Sequence, residues 1–117
     1  MDILEQIESL IERANKSPFN NSYIHGEKII AYVRVTSRLI QGQMMQTIDI
    51  GNVSVEEEHQ NQGVFKHFLE GVETLAHRFD RTVYIESVLS QVLLEKLPTY
   101  GYTSNQEICP SFHKHFH

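Results

Sequence analysis

A single cysteine, Cys109, is all that the 117 residues contain. An internal disulfide and any Cys-x-x-Cys chemistry are therefore excluded. Tryptophan is absent, and with only 3 prolines and 6 glycines the chain is neither collagen-like nor a Pro/Gly-rich low-complexity segment. Positive charge is scarce: 10 Lys and Arg stand against 15 Asp and Glu, a net charge of −5. Without a strongly basic domain to grip a phosphate backbone, nucleic acid is not expected as the main partner. Hydrophobic runs are short; none approaches the ~20 residues of a membrane helix, so no membrane partner is expected. The first ten residues carry Asp2, Glu5 and Glu8 and neither Lys nor Arg, which does not match a secretory or transit signal. A reducing, cytoplasmic setting fits these features.

What is present is an ordinary globular balance, 40% hydrophobic and 21% charged. That is enough for one core without disulfides or structural metal, and the reading is a single domain over 1–117. Residues 2–15 have a helical pattern: Ile3, Leu4, Ile7, Leu10, Ile11 and Ala14 form the stripe, and Asp2 with Glu5 makes a capping-box start. After Ser17-Pro18 come strand signals at Tyr23-Ile24, a turn at 25–27, a strand over 28–36, a loop over 37–43 and an extended stretch over 44–55. Ile48 and Ile50 share one parity there, and Val53 and Val55 the other, with Gly51-Asn52 at the switch. Either a β-bulge or a break between two short strands produces that change.

Residues 56–63 are polar and read as a loop. Val64, Phe65, Phe68, Leu69, Val72, Leu75, Ala76 and Phe79 then restore the helical period. A strand over 82–88 follows, then a helix over 89–97 capped by Ser87 or Ser90 and stopped by Pro98. A short strand or turn lies between Gly101 and Asn105, and a last strand, interrupted by Pro110, covers about 108–116. This order predicts an α/β (α+β) sheet domain. Residues 48–88 are long enough for a crossover joining two parallel strands.

The chemically informative run is 53–66. A strand ends, a polar loop follows, and a helix starts just after Gly63. A helix start presents unpaired N–H groups and the positive end of its dipole, which suits phosphate. Gly63 permits a tight turn, and Lys66 adds a positive charge. An unliganded helix start is the plainer alternative, and Glu56, Glu57 and Glu58 speak against an anion.

Gln60-Asn61-Gln62-Gly63-Val64-Phe65 resembles the acyl-coenzyme A signature of the GNAT family of N-acetyltransferases, Gln/Arg-x-x-Gly-x-Gly/Ala. Gln60 and Gly63 match, while Phe65 replaces the last Gly or Ala. The parity change before the loop and the Gly101-Tyr102 pair after the second helix add to the resemblance, which covers about 44–102. It implies a mixed twisted sheet with flanking helices and a bulged strand before the acyl-CoA loop. It implies acetyl-CoA as co-substrate and an amine acceptor, either a small molecule or a protein. The main chain of Val53 and Val55 would pair with the pantetheine arm, and the amides of Gln60, Asn61, Gln62, Gly63, Val64, Phe65 and Lys66 would take the pyrophosphate.

Family members often carry a carboxylate on the bulged strand where Gly51 and Asn52 stand here, and Asp49 lies further back. Glu86 on the next strand is the candidate base; its alternative is a strand carboxylate satisfied by a neighbour. The usual tyrosine acid is replaced by Leu97, and Ser90 stands where an Asn often contacts the arm. Tyr100 is the candidate acid, or else a packing residue. Cys109 reads as a small structural residue. His113, His115 and His117 share a face at period two, with Phe112 and Phe116 turned inward; this is a polar edge, and no metal site is assigned. His59 and His67 read as surface residues. The rival functions are a degenerate member that binds CoA or a partner without turnover, and a dimerising domain without ligand. The last strand of this fold often pairs between protomers, which leaves a homodimer open.

Overall fold

Helix α1 spans Ile3–Ala14, and Asp2 Oδ1 accepts the Glu5 amide at 2.8 Å as its cap. Its stripe buries Ile7, Leu10 and Ile11. These residues belong to a computed structural model of the chain, which describes residues 2–14, 16–17, 20–55, 63–86, 88 and 90–116. Strands β1 (Asn21–His25), β2 (Ile29–Ile40) and β3 (Gln43–Val55) follow, then α2 (Val64–Arg78), β4 (Thr82–Ile85), α3 (Gln91–Thr99), β5 (Thr103–Ser104) and β6 (Phe112–His115). They build one mixed sheet in the order β1-β2-β3-β4-β6-β5. Only β3 and β4 run parallel, joined by α2 as the expected crossover.

Alternation along each strand separates two faces. On one face Val33, Val35, Ile48, Ile50, Val83, Ile85 and Phe112 are buried together with apolar side chains of all three helices in one cluster. Tyr102 completes it: its hydroxyl donates to Glu73 of α2 at 2.8 Å, and burial pushes its phenol far above the ordinary value. The other face is polar, carrying Arg34, Arg38, Thr47, Asp49, Thr82 and Tyr84.

Several boundaries differ from the sequence pattern. The expected loop over 37–43 is a continuation of strand: β2 runs to Ile40, and Gln41-Gly42 alone turn the chain, at φ 50° and 81°. Two successive positive φ values make the tight hairpin turn whose twist matches the strands. β4 ends at Ile85 rather than at 88, α3 starts at Gln91 with Ser90 as cap, and Pro98 sits in its last turn. The last strand is only Phe112–His115. His113 is buried, against the expectation of a solvent-facing edge, because it pairs with Tyr84 inside the sheet. Cys109 is exposed in the β5–β6 connection and packs into no core. His67 is exposed; His59 and His117 lie outside the described residues.

The bulge is present. Ile30 pairs with Ser54 and Tyr32 with Gly51, so Asn52 and Val53 together oppose Ala31. Asn52 takes φ 46°, a left-handed conformation that Asn tolerates better than branched residues. Its side chain is exposed, so conformation rather than packing selects it. Asn52→Gly is expected to leave stability within about 0.5 kcal/mol, and Asn52→Val to cost about 1–2 kcal/mol in urea unfolding.

Candidate active site

β3 and β4 pair from Thr47↔Thr82 to Ile50↔Ile85, and the Glu86 amide donates to the Ile50 carbonyl at 2.9 Å. Beyond that bond each strand follows its outer neighbour. The bulge turns β3 along β2, where Val55 pairs with Ile29. On the other side the Val88 amide donates to the Pro110 carbonyl at 2.8 Å. The parted strands leave a cleft of about 440 Å³. Ile50, Gly51, Asn52 and Val53 form one wall, and Ile85, Glu86 and Val88 the other. Phe65 of α2, Ser90 and Leu93 of α3 close the helix side.

The start of α2 adjoins this cleft through Phe65. Gly63 precedes the helix at φ 73° and offers no side chain as cap. Among the described residues no side-chain acceptor is recorded for the first-turn amides of Val64, Phe65 and Lys66, as suits an anion site. A Cβ at Gly63 would meet nothing within 4 Å among the described residues, so the glycine serves the left-handed backbone. Val53 lines the cleft; Val55 ends the same strand. Gln60, Asn61 and Gln62 lie outside the described residues, as do Glu56, Glu57 and Glu58.

Glu86 lies in the cleft wall, and a Cβ on Gly51 would stand 3.0 Å from its Oε2. The missing side chain at residue 51 is what makes room for this carboxylate. Arg38 Nη2 donates to Glu86 Oε1, and Arg34 Nη1 lies 3.6 Å from the same oxygen. Arg38 Nε donates to Asp49 Oδ2 at 2.6 Å, and its guanidinium sits 4.4 Å over the Tyr84 ring. Burial works against the charge on Arg38, but the Asp49 and Glu86 carboxylates outweigh it and hold the guanidinium above its ordinary value. Asp49 is only 1% exposed, and burial pushes its carboxyl above the ordinary value of 3.8. Asp49 Oδ1 has no hydrogen-bond partner among the described residues.

Arg34 and Arg38 were not among the residues singled out from the sequence, and Asp49 was noted only as a carboxylate further back on the strand. Their shared parity on adjacent strands is visible there, but the register that joins them to Glu86 is not. Tyr100 and Glu86 are not brought together. Tyr100 lines a separate hollow of about 200 Å³ between α2 and α3, and Lys66 Nζ sits 5.6 Å over its ring. Leu97, in the place of the family tyrosine, is fully buried in the core. Among the described residues there is no cluster of three or more metal-ligating side chains, and no helix is long and apolar enough to cross a membrane.

No family model matches the sequence, and no curated protein is similar to it in sequence. Solved structures are similar in fold. A mutant of the AtaT toxin, bound to the C-terminus of the antitoxin AtaR and acetyl-CoA, superposes with a TM-score of 0.57 at 8% identity over 76% of this chain. The chain spans 59% of that toxin's length. The Bacillus subtilis N-acetyltransferase YlbP, in complex with coenzyme A, gives 0.55 at 12% identity, covering 96% of this chain and 88% of the other. The ribosomal-protein-S18-alanine N-acetyltransferase from Escherichia coli gives 0.54 at 11% identity, covering 94% and 84%. The chain has the GNAT fold. Within this fold the parted parallel strands and the helix start adjoin, as the resemblance implies.

A carboxyl whose folded value is raised binds its proton more tightly when folded. The stability that Asp49 contributes therefore falls as pH rises from its unfolded value through its folded one. The unfolding free energy of wild type minus that of Asp49→Asn is expected to decrease as pH rises above about 4. Urea melts across that range check it; an increasing difference would show that Arg38 outweighs burial.

Proposed function

We propose that the protein is an acetyl-CoA-dependent N-acetyltransferase that acetylates an amine by direct attack. The carrying observation is the cleft between β3 and β4 beside the start of α2, where Gly63 supplies no side-chain cap. A cleft of mixed polar and apolar lining next to helix-start amides fits an extended thioester arm ending in a pyrophosphate. The amides of Gly63, Val64, Phe65 and Lys66, with those of Gln60, Asn61 and Gln62, would hold the pyrophosphate. The main chain of Val53 and Val55 would pair with the arm. Bound acetyl-CoA supplies a thioester carbon, at which the C–N bond forms as the C–S bond breaks.

Glu86 stands in the wall of the cleft and is the proposed proton acceptor for the attacking amine. The Val53 amide is the proposed donor to the carbonyl oxygen as it gains charge. Tyr100 lies outside the cleft lining, so no proton transfer falls to it and the thiolate leaves unaided. The domain is taken as single over residues 1–117, with an amine acceptor of small-molecule or protein origin and a cytoplasmic setting. A second reading, binding without turnover, draws on the buried Leu97 where the family places a tyrosine.

Calorimetric titration tests the site. Acetyl-CoA and CoA are expected to bind wild type at micromolar Kd and to lose at least about tenfold in a folded Gly63→Glu variant, which strains the turn and adds negative charge at the amides. No binding at millimolar cofactor overturns the proposal. Glu86→Gln is expected to keep cofactor binding and to lower acetylation of an amine panel by about 10²–10⁴-fold. Unchanged turnover in that variant would remove Glu86 from the mechanism.

A further inference from the structure

The cleft is lined from both faces of the sheet: Phe65 and Leu93 on the helix side, Gly51 and Glu86 at the polar face. An acceptor amine that comes to Glu86 from the polar face meets the groups around that opening. Among the described residues four ionisable groups lie there: Arg34, Arg38, Asp49 and Glu86. With both carboxyls ionised they are balanced, two positive and two negative. Arg38 is committed, being bonded to both carboxylates and stacked on Tyr84. Arg34 is not held so closely. Its guanidinium is 3.6 Å from Glu86 Oε1, 41% exposed, and rests 5.7 Å over the Tyr32 ring.

Charge balance then limits the ligand. A bare ammonium docking on Glu86 would leave this half-buried group with one uncompensated positive charge. An ammonium that brings its own anion keeps the group neutral, because Arg34 can turn from Glu86 to that anion. A guanidinium is suited to paired bonding with carboxylate or phosphate. We propose that the acceptor is a primary amine carrying a carboxylate or phosphate a few bonds from the nitrogen, and that Arg34 selects it. The proposal rests on the acetyltransferase reading above and adds the substrate class.

The test compares matched amines at one pH: phosphoethanolamine with ethanolamine, and alanine with alaninamide. Acetylation is followed as CoA released from acetyl-CoA, in wild type, Arg34→Gln and Arg34→Lys, each first shown to be folded and to bind acetyl-CoA. Wild type is expected to favour at least one anionic member by about tenfold or more in kcat/KM, as one charge-assisted contact provides. Arg34→Gln should abolish that preference, through a raised KM for the anionic member of each pair, and be partly rescued by Arg34→Lys. A wild type without preference, a preference that survives in Arg34→Gln, or acetylation confined to neutral amines would each overturn the proposal while leaving the acetyltransferase reading intact. Failure of wild type to bind acetyl-CoA would overturn that reading and the proposal with it.

Discussion

Among the described residues the bond from the Glu86 amide to the Ile50 carbonyl is the last tie between β3 and β4, and the active-site geometry depends on the strands parting there. Parallel strands pair on wherever nothing prevents it. Here two things do. The extra residue at Asn52–Val53 bends β3 toward β2, where pairing resumes at Ser54. Past Glu86 the chain is drawn to the Pro110 carbonyl on the opposite side. Each strand keeps its outer partner and loses its inner one. The cleft is the space between, and backbone groups there are left without a strand to satisfy them, a condition that an extended ligand resolves as an added strand would.

The same parting joins two unlike surfaces. The helix-bearing face is apolar, and its burial supplies most of the stability, as in any small sheet domain. The polar face carries charges that are costly to desolvate, and they persist because Arg38 is bonded to both carboxylates and stacked on Tyr84. Glu86 belongs to both regions: it is fixed by the polar face and exposed to the cleft. Gly51 permits this, since a side chain there would occupy the space of the carboxylate.

Much of this was legible in the sequence. Helical periods located α1 and α2, and the parity change from Ile48 and Ile50 to Val53 left a bulge or a break between two strands; the register decides for the bulge. The hairpin turn was misread because Ser37 and Arg38 look like loop residues, whereas they sit in β2 and continue its alternation. Tyr100 stands three residues beyond Leu97, and the end of α3 sets it beside Lys66 in a hollow separate from the cleft lining. The ion network was out of reach for a different reason. Residues 34, 38, 49 and 86 come from three chain segments, and only the register of the β2–β3 and β3–β4 pairs brings them together.

Past Ile50 the edge of β3 that faces the cleft has no strand partner among the described residues, and an extended ligand fits there as an added strand would. Backbone hydrogen exchange with and without acetyl-CoA measures this directly. Among residues 51–55 the amides that point into the cleft, with those of the first turn of α2, should exchange readily in the free protein and become protected when the cofactor is added, while amides bonded to β2, and those of β1 and the β2–β3 turn, stay unchanged. Protection that appears elsewhere, or cleft-facing amides already fully protected without cofactor, would be the contrary result.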